Sequence, residues 1–360
     1  MGLGTWVDSV AATVRHTGEL RAARSQLAFL NQRWAHHGRR SGYLLDVGLG
    51  PSVARGDRVI PHPLVRWRAA RSGDPHWEQR WLLWASLALS GTRLLHVVDG
   101  DFDTWVYAPR PAWLRARVTA TFHQPLDRLA EIVPRIAPGS LDGIICMSRA
   151  QLPALESLVP RGRCVFVPHG VETEFFSPEP ERPESDSPIL LSVGAHRRDF
   201  ATLAAAVRVI RARRPEARVR LVAPKAAAEA VKRDAGDFVE VLSGISDEEL
   251  RAQYRAATLL FLPLEAATAN NALLEAMACG VPSVITDVPD LHDYVDAEAA
   301  VFCARGDAES HAAAALALLG DPARRARMGA AARRQAESLA WPKVRALAAE
   351  FFRKVIEGAQ

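Results

Sequence analysis

Cysteine is scarce in this 360-residue chain, with Cys146, Cys164, Cys279 and Cys303 widely scattered. None forms a CxxC or a Cys/His pair at zinc-site spacing. That excludes a disulfide framework and predicts buried or free thiols in a reducing compartment. Lysine is missing from residues 1–176, where all 21 basic residues are arginine. Long apolar runs are missing too: the best candidate, Trp81–Leu89, is about half of the roughly 18 residues a membrane span needs. No signal-peptide pattern opens the chain, so a cytoplasmic protein is expected. What is present is ordinary globular material, 49% hydrophobic and 24% charged. Its length is generous for one core and comfortable for two.

Charge is unevenly placed. Residues 1–176 carry 21 Arg against 15 acidic residues, about +6, which leaves about −2 for the remainder. The clusters Arg39–Arg40, Arg66–Arg68–Arg71 and Arg115–Arg117 are interleaved with Trp34, Trp67, Trp77, Trp81, Trp84 and Trp113. A solvated basic surface is the plain reading. The functional one is peripheral contact with the inner face of an anionic membrane, or an acidic acceptor. No nucleic-acid-binding motif accompanies the charge, so nucleic acid is not expected as a partner.

The run Ser177–Pro188, SPEPERPESDSP, has no apolar periodicity and reads as a linker. Short apolar segments alternate with helical patterns on both sides of it. Before it stand Leu94–Val98, Val118–Phe122, Gly143–Met147 and Cys164–Val167. After it come Ile189–Val193, Val219–Val222, Val239–Leu242, Leu259–Leu262, Val284–Thr286 and Ala300–Cys303. Phe200–Ala212 and Asp247–Ala256 are helical, the second introduced by a Ser246/Glu249 capping box. Short strands apolar on both faces, separated by helices, predict two α/β domains with doubly wound parallel sheets. The first 38 residues read as more helical than extended, and Gly42–Val47 is the first clear strand candidate.

The most informative segment is Thr268–Ser283, TANNALLEAMACGVPS. It follows a buried strand, opens with small polar residues, continues as a short helix and stops at Gly280. Strand, polar turn and helix start place free backbone N–H groups and a helix dipole before an anion such as a phosphate. A carboxylate inside the helix, Glu275, can then reach a sugar hydroxyl.

With Val165–Val171 (VFVPHGV), Phe175, Phe176 and Pro178, the strand and glycine turn Ile189–Gly194, LLEAMACGVPSVITD at Leu273–Asp287, Gly306–Asp307 and a last helix from Trp341, the chain resembles retaining GT-B glycosyltransferases, of the glycosyltransferase family 4-like group (glycosyl transferases group 1). The resemblance is good over about 140–360. It thins upstream to Leu95–Asp99, Phe122–Pro125 and Ile144–Ser148. It implies two Rossmann-like domains facing across a cleft: an acceptor-binding domain at 1–176, a linker at 177–188, a nucleotide-sugar-binding domain at 189–340, and a helix at 341–360 crossing back.

By resemblance, Glu275 accepts hydrogen bonds from the donor's ribose, and Thr268, Asn270 and Asn271 approach its phosphates and sugar. Arg198, with Arg197 beside it after Gly194, neutralises the leaving diphosphate, as a fixed cation can. His123, after an N-domain strand, faces the transferred sugar. His96 and Asp99 follow another apolar segment and are weaker candidates, and Asp99–Gly–Asp101–Phe–Asp103 reads as a polar loop. Two departures stand out. Ala195 replaces an arginine usual after the glycine. Ala267 stands where the first glutamate of the Glu-x7-Glu pair belongs, with Glu265 two residues upstream.

The resemblance implies transfer of a sugar from a nucleoside diphosphate sugar to a glycan, lipid-linked or small-molecule hydroxyl acceptor. Configuration would be retained and no bound metal is expected, as in cell-envelope or polysaccharide biosynthesis. An epimerase or hydrolase of nucleotide sugars and a catalytically silent nucleotide-sugar-binding protein are the alternatives.

Overall fold

The computed structural model describes residues 26–31, 40, 43–45, 49, 52–54, 77–179, 187–235 and 238–358. The chain divides into two compact units. One comprises Met1–Trp34, Leu45–Val167 and Arg345–Gln360, and the other Ala35–Leu44 and Pro168–Val344. Of the Arg/Trp clusters, Trp34, Arg39, Trp67, Arg66–Arg71 and the side chain of Trp77 lie outside the described residues.

The first unit is built on a six-stranded parallel sheet. Its strands are β1 (Leu27–Asn31), β2 (Ser52–Ala54), β3 (Leu94–Val97), β4 (Arg117–Phe122), β5 (Gly143–Cys146) and β6 (Cys164–Phe166), ordered β2-β1-β3-β4-β5-β6. Helix α1 (Trp77–Ser90) turns Leu83, Trp84 and Leu87 into the core against β3 and β4. β1 corrects the sequence reading. Ala28, Phe29 and Leu30 are buried between two neighbouring strands, and that two-sided burial decides the conformation over helical pattern. The strand expected at Gly42–Val47 is not formed at Tyr43–Leu45, and Gly42, Asp46 and Val47 lie outside the described residues, as do 1–25 and 32–39.

His96 is core rather than site. It is fully buried, hydrogen-bonded between the hydroxyls of Thr119 (2.9 Å) and Thr121 (2.8 Å), with Phe29 and Phe352 against its ring. Burial, with a smaller push from His123, lowers its pKa to about 3, so it is neutral at physiological pH. Cys146 and Cys164 are free thiols with their sulfurs 3.3 Å apart on adjacent strands.

The second unit holds β7 (Ile189–Val193), β8 (Arg218–Val222), β9 (Val239–Leu242), β10 (Leu259–Leu262), β11 (Ser283–Thr286) and β12 (Ala300–Cys303). The order is β12-β11-β10-β7-β8-β9, all parallel. Renumbered within the unit, this is the 3-2-1-4-5-6 order of a dinucleotide-binding fold. Every strand core residue of β10 is fully buried, as expected for a parallel sheet covered on both faces. After two short helices in the first unit, α2 (Leu126–Ile132) and α3 (Leu152–Leu155), the covering helices here are α4 (Phe200–Arg213), α5 (Lys225–Ala235), α6 (Asp247–Ala256), α7 (Asn271–Ala278), α8 (Ala308–Leu319) and α9 (Pro322–Ser338). The Ser246/Glu249 capping box forms as read. Of the linker run, 180–186 lie outside the described residues, while Ser177 and Glu179 are held by Arg255. A last helix, α10 (Trp341–Glu357), begins in this unit and continues from Arg345 in the first. No described helix is long and apolar enough to cross a membrane.

Candidate functional site

In a sheet of this order the strand sequence reverses between β7 and β10, and the crevice outside their carboxyl ends is where a ligand fits. The turns that follow these two strands carry the predicted residues. After β7 come Gly194, Arg197 and Arg198. After β10 come Thr268, Asn270, Asn271 and, inside α7, Glu275. The backbone ties the two turns together. Arg198 and Leu264 form an antiparallel bridge, the Asp199 N–H donates to Pro263 O (3.1 Å), and the Glu265 N–H donates to Arg197 O (2.9 Å).

Gly194 has φ +89°, and a Cβ there would stand 2.9 Å from Arg198 Nη2, so the arginine needs a glycine at this position. Arg197, at φ +55°, is a non-glycine residue in the left-handed region, a cost of roughly 1–2 kcal/mol carried at the site. The Arg198 guanidinium is held from three sides: Nε to Val193 O (2.9 Å), Nη1 to His196 O (3.0 Å) and Nη2 to Asn270 Oδ1 (3.5 Å). Burial lowers its pKa to about 10, so it remains a cation at neutral pH. All three partners are neutral acceptors, which leaves the positive charge uncompensated by them and available to an anion.

Asn270 caps α7, its side-chain oxygen also accepting from the Leu273 N–H (3.2 Å). That assigns the amide oxygen inward. The N–H groups of Asn271 and Ala272, at the first helical positions, have no acceptor within the helix, and the helix dipole adds partial positive charge there. The Thr268 hydroxyl, in a side chain 4% exposed, has no hydrogen-bond partner among the described residues. A buried hydroxyl is usually hydrogen-bonded, so this one stands out beside the helix start.

One turn into the helix, Glu275 is also 4% exposed. Tyr254 from α6, itself fully buried, donates its hydroxyl to Glu275 Oε2 at 2.8 Å. Burial, then the neighbouring carboxylate, raises the Tyr254 pKa well above the usual phenol range, so it stays a donor. Glu275 lines a narrow crevice with Asn271, His169, Glu172, Trp341 and Arg40. Arg40 is paired with Glu172 at 3.2 Å and lies over Phe175. The His169 ring donates from Nδ1 to Gly170 O (2.7 Å), and its backbone N–H donates to Tyr294 Oη (3.1 Å).

Sequence reasoning missed Tyr254 and Arg40. Tyr254 reads as an apolar position of an amphipathic helix, and Arg40 as one member of a basic cluster in the other domain. Glu265 is exposed and Ala267 is buried.

His123 lies in the first unit, after β4. Its Nε2 donates to Val98 O (2.8 Å), and its backbone N–H donates to Asp101. The Asp99–Asp103 loop is polar as read, yet Asp101 and Asp103 are buried. Burial raises the Asp101 pKa to about 6, against the opposing pull of His123. Among the described residues, no group of three or more His, Cys, Asp or Glu side chains could hold a metal ion.

Residues 187–321 match the family described as glycosyl transferases group 1. That span contains every residue predicted for the donor side and leaves out His123. A D-inositol 3-phosphate glycosyltransferase of Kineococcus radiotolerans is 30% identical over 232 residues, 54% of this chain and 52% of the relative. The chain thus spans about half the length of the curated relatives it matches. Sucrose-phosphate synthase from Thermosynechococcus elongatus superposes with a TM-score of 0.68 at 21% identity, over 96% of this chain and 93% of that one. The Anabaena protein HepE in complex with UDP-glucose gives 0.69 at 14%, over 91% and 99%. The fold is that of GT-B glycosyltransferases, with two parallel-sheet Rossmann-like units.

Proposed function

We propose that the chain transfers a sugar from a nucleoside diphosphate sugar to a hydroxyl acceptor, with retention of configuration. One observation carries the reading. At the switch point of the second unit, an uncompensated arginine and an open helix start stand on the same edge as a buried carboxylate. The first two suit a diphosphate and the third suits ribose hydroxyls. Arg198, with the Asn271 and Ala272 N–H groups, takes the leaving diphosphate, and Arg197 flanks it. Thr268 and Asn270 border the sugar. Glu275, oriented by Tyr254, takes the ribose. His123 serves the transferred sugar, a role that rests on the family resemblance alone, as retention does. The reaction is read as metal-independent, and the enzyme as cytoplasmic, where nucleotide sugars are made.

UDP-glucose, the molecule bound in the HepE structure, is the first donor to test. The acceptor is a glycan, a lipid-linked sugar or a small molecule. The relative's name makes an inositol phosphate one candidate. A second reading, a nucleotide-sugar-binding protein that transfers nothing, draws on Ala267 and on the three carbonyl-type acceptors that already hold Arg198. Incubating the protein with UDP-, GDP- and ADP-sugars, with and without acceptors and in the presence of a chelator, separates the two. Acceptor-dependent nucleotide release supports transfer, and release without acceptor marks a hydrolase. Binding without release marks the silent protein. No binding of any nucleotide sugar at millimolar concentration removes the proposal.

A further inference from the structure

A second polar concavity lies in the first unit, at the opposite edge of the sheet from His123. It is an open groove of about 800 Å³ beside the amino ends of β3 and β4. Four arginines line it: Arg93, Arg110, Arg115 and Arg117. A single carboxylate, Asp142, bonds Arg110 and Arg117. Arg93 meets only neutral acceptors, Gln26 Oε1 and Ile356 O. Arg115 is exposed and has no partner among the described residues. Among the described residues, the groove therefore carries more positive charge than Asp142 offsets.

Its rim is apolar, which is unusual beside so much charge. Trp113 is 47% exposed, Trp81 is 43% exposed and Leu89 is 57% exposed. Trp81 and Trp113 meet edge to face at 6.2 Å. On α1, Trp81, Ala85, Ala88 and Leu89 fall on one face by helical spacing, and all four are exposed or half-exposed. The opposite face, Leu83, Trp84 and Leu87, fills the core. A soluble phosphate would satisfy the arginines and leave the indoles in water. A bilayer interface satisfies both, since indole rings settle at headgroup depth and guanidinium groups meet lipid phosphates.

We propose that this groove and its rim form a docking surface for an anionic phospholipid bilayer, with Arg93 and Arg115 on the headgroups and Trp81, Leu89 and Trp113 at the interface. The inference stands apart from the donor site, and its test needs no enzymatic activity. Flotation of the full chain would be measured with vesicles of phosphatidylcholine alone and of phosphatidylcholine mixed with phosphatidylglycerol. The expected result is binding to the anionic vesicles that weakens as salt is raised. Reversing one charge with Arg115→Glu lowers the partition coefficient about thirtyfold, and Trp113→Ser lowers it about tenfold. Both side chains are exposed, so neither change threatens the core. Arg327→Glu, the same charge change on an exposed position of α9, leaves binding near wild type. Absence of any preference for anionic vesicles overturns the proposal, as does equal loss in the Arg115 and Arg327 variants. Displacement by inorganic phosphate at constant ionic strength also overturns it, by assigning the groove to a soluble anion.

Discussion

Glu275 offers the sharpest test of the donor site, because its role predicts a loss confined to one part of the ligand. The carboxylate is 4% exposed and held by Tyr254 at 2.8 Å. A hydrogen bond to a charged group contributes about 1.5–3 kcal/mol. Two ribose hydroxyls on one carboxylate, discounted for the water they displace, give about 2–3 kcal/mol, or roughly 30- to 150-fold in Kd. Glu275→Ala should therefore erase the preference for a ribonucleotide over its 2′,3′-dideoxy counterpart. Affinity for the dideoxy form should hardly move. Because the alanine leaves the Tyr254 hydroxyl buried without its acceptor, at a cost of about 1–3 kcal/mol of stability, Glu275→Gln is the companion variant. It keeps an acceptor for Tyr254 and should retain a weakened ribose preference. Titration calorimetry with UDP, GDP and their dideoxy forms measures all three proteins. A Glu275→Ala protein that still discriminates ribose, or that loses both ligand forms equally, refutes the assignment.

Arg198→Ala should slow transfer by roughly 10²- to 10³-fold, the cost of removing one group that stabilises transition-state charge, while donor Kd shifts far less. Equal losses in kcat/KM and in affinity would show that the arginine binds ground and transition states alike. Gly194→Ala forces a side chain into φ +89° and against Arg198 Nη2. It should cost about 1–2 kcal/mol in urea melts and reduce turnover through the displaced guanidinium, and an unchanged melt and rate would contradict the geometry. His96 makes the first unit acid-sensitive. Its folded pKa is about 3 against 6.5 unfolded, so between those values the unfolded chain binds a proton that the folded one refuses. Stability is full above pH 6.5 and falls as pH drops, by up to about 1.4 kcal/mol per pH unit. His96→Gln should remove that component of the slope in melts taken across this range, and an identical slope in both proteins would dismiss it.

Much of the second unit is legible in the sequence because its strands are bounded apolar runs and its helix starts carry local signals. Ser246 and Glu249 announce α6, and Asn270 caps α7 where the polar turn ends. The donor-side residues follow from that local order, since strand, turn and helix bring Thr268, Asn270 and Glu275 together without long-range information. β1 was hidden because LAFLN owes its extended form to the strands on both sides of it. The burial of His96, Asp101 and Asp103 is equally a tertiary fact, invisible in a sequence that shows only a polar residue beside an apolar run. Tyr254 and Arg40 were missed for a related reason. Arg40 lines the crevice and Tyr254 holds Glu275 from within the core, each from an element whose own pattern explains it without a ligand.

The two lips of the crevice are far apart along the chain. Gly194–Arg198 closes β7, whereas Thr268, Asn270 and Glu275, with Tyr254 buried behind Glu275, all come after the turn at Gly244, where nothing lies within 4 Å of an added Cβ. A break in the chain at Gly244 would put Arg198, proposed for the diphosphate, on one piece and Glu275, proposed for the ribose, with Tyr254 on the other. A ligand spanning both would add its binding free energy to the reassociation of the pieces. The unit could thus serve as a split reporter whose reassembly measures its own ligand.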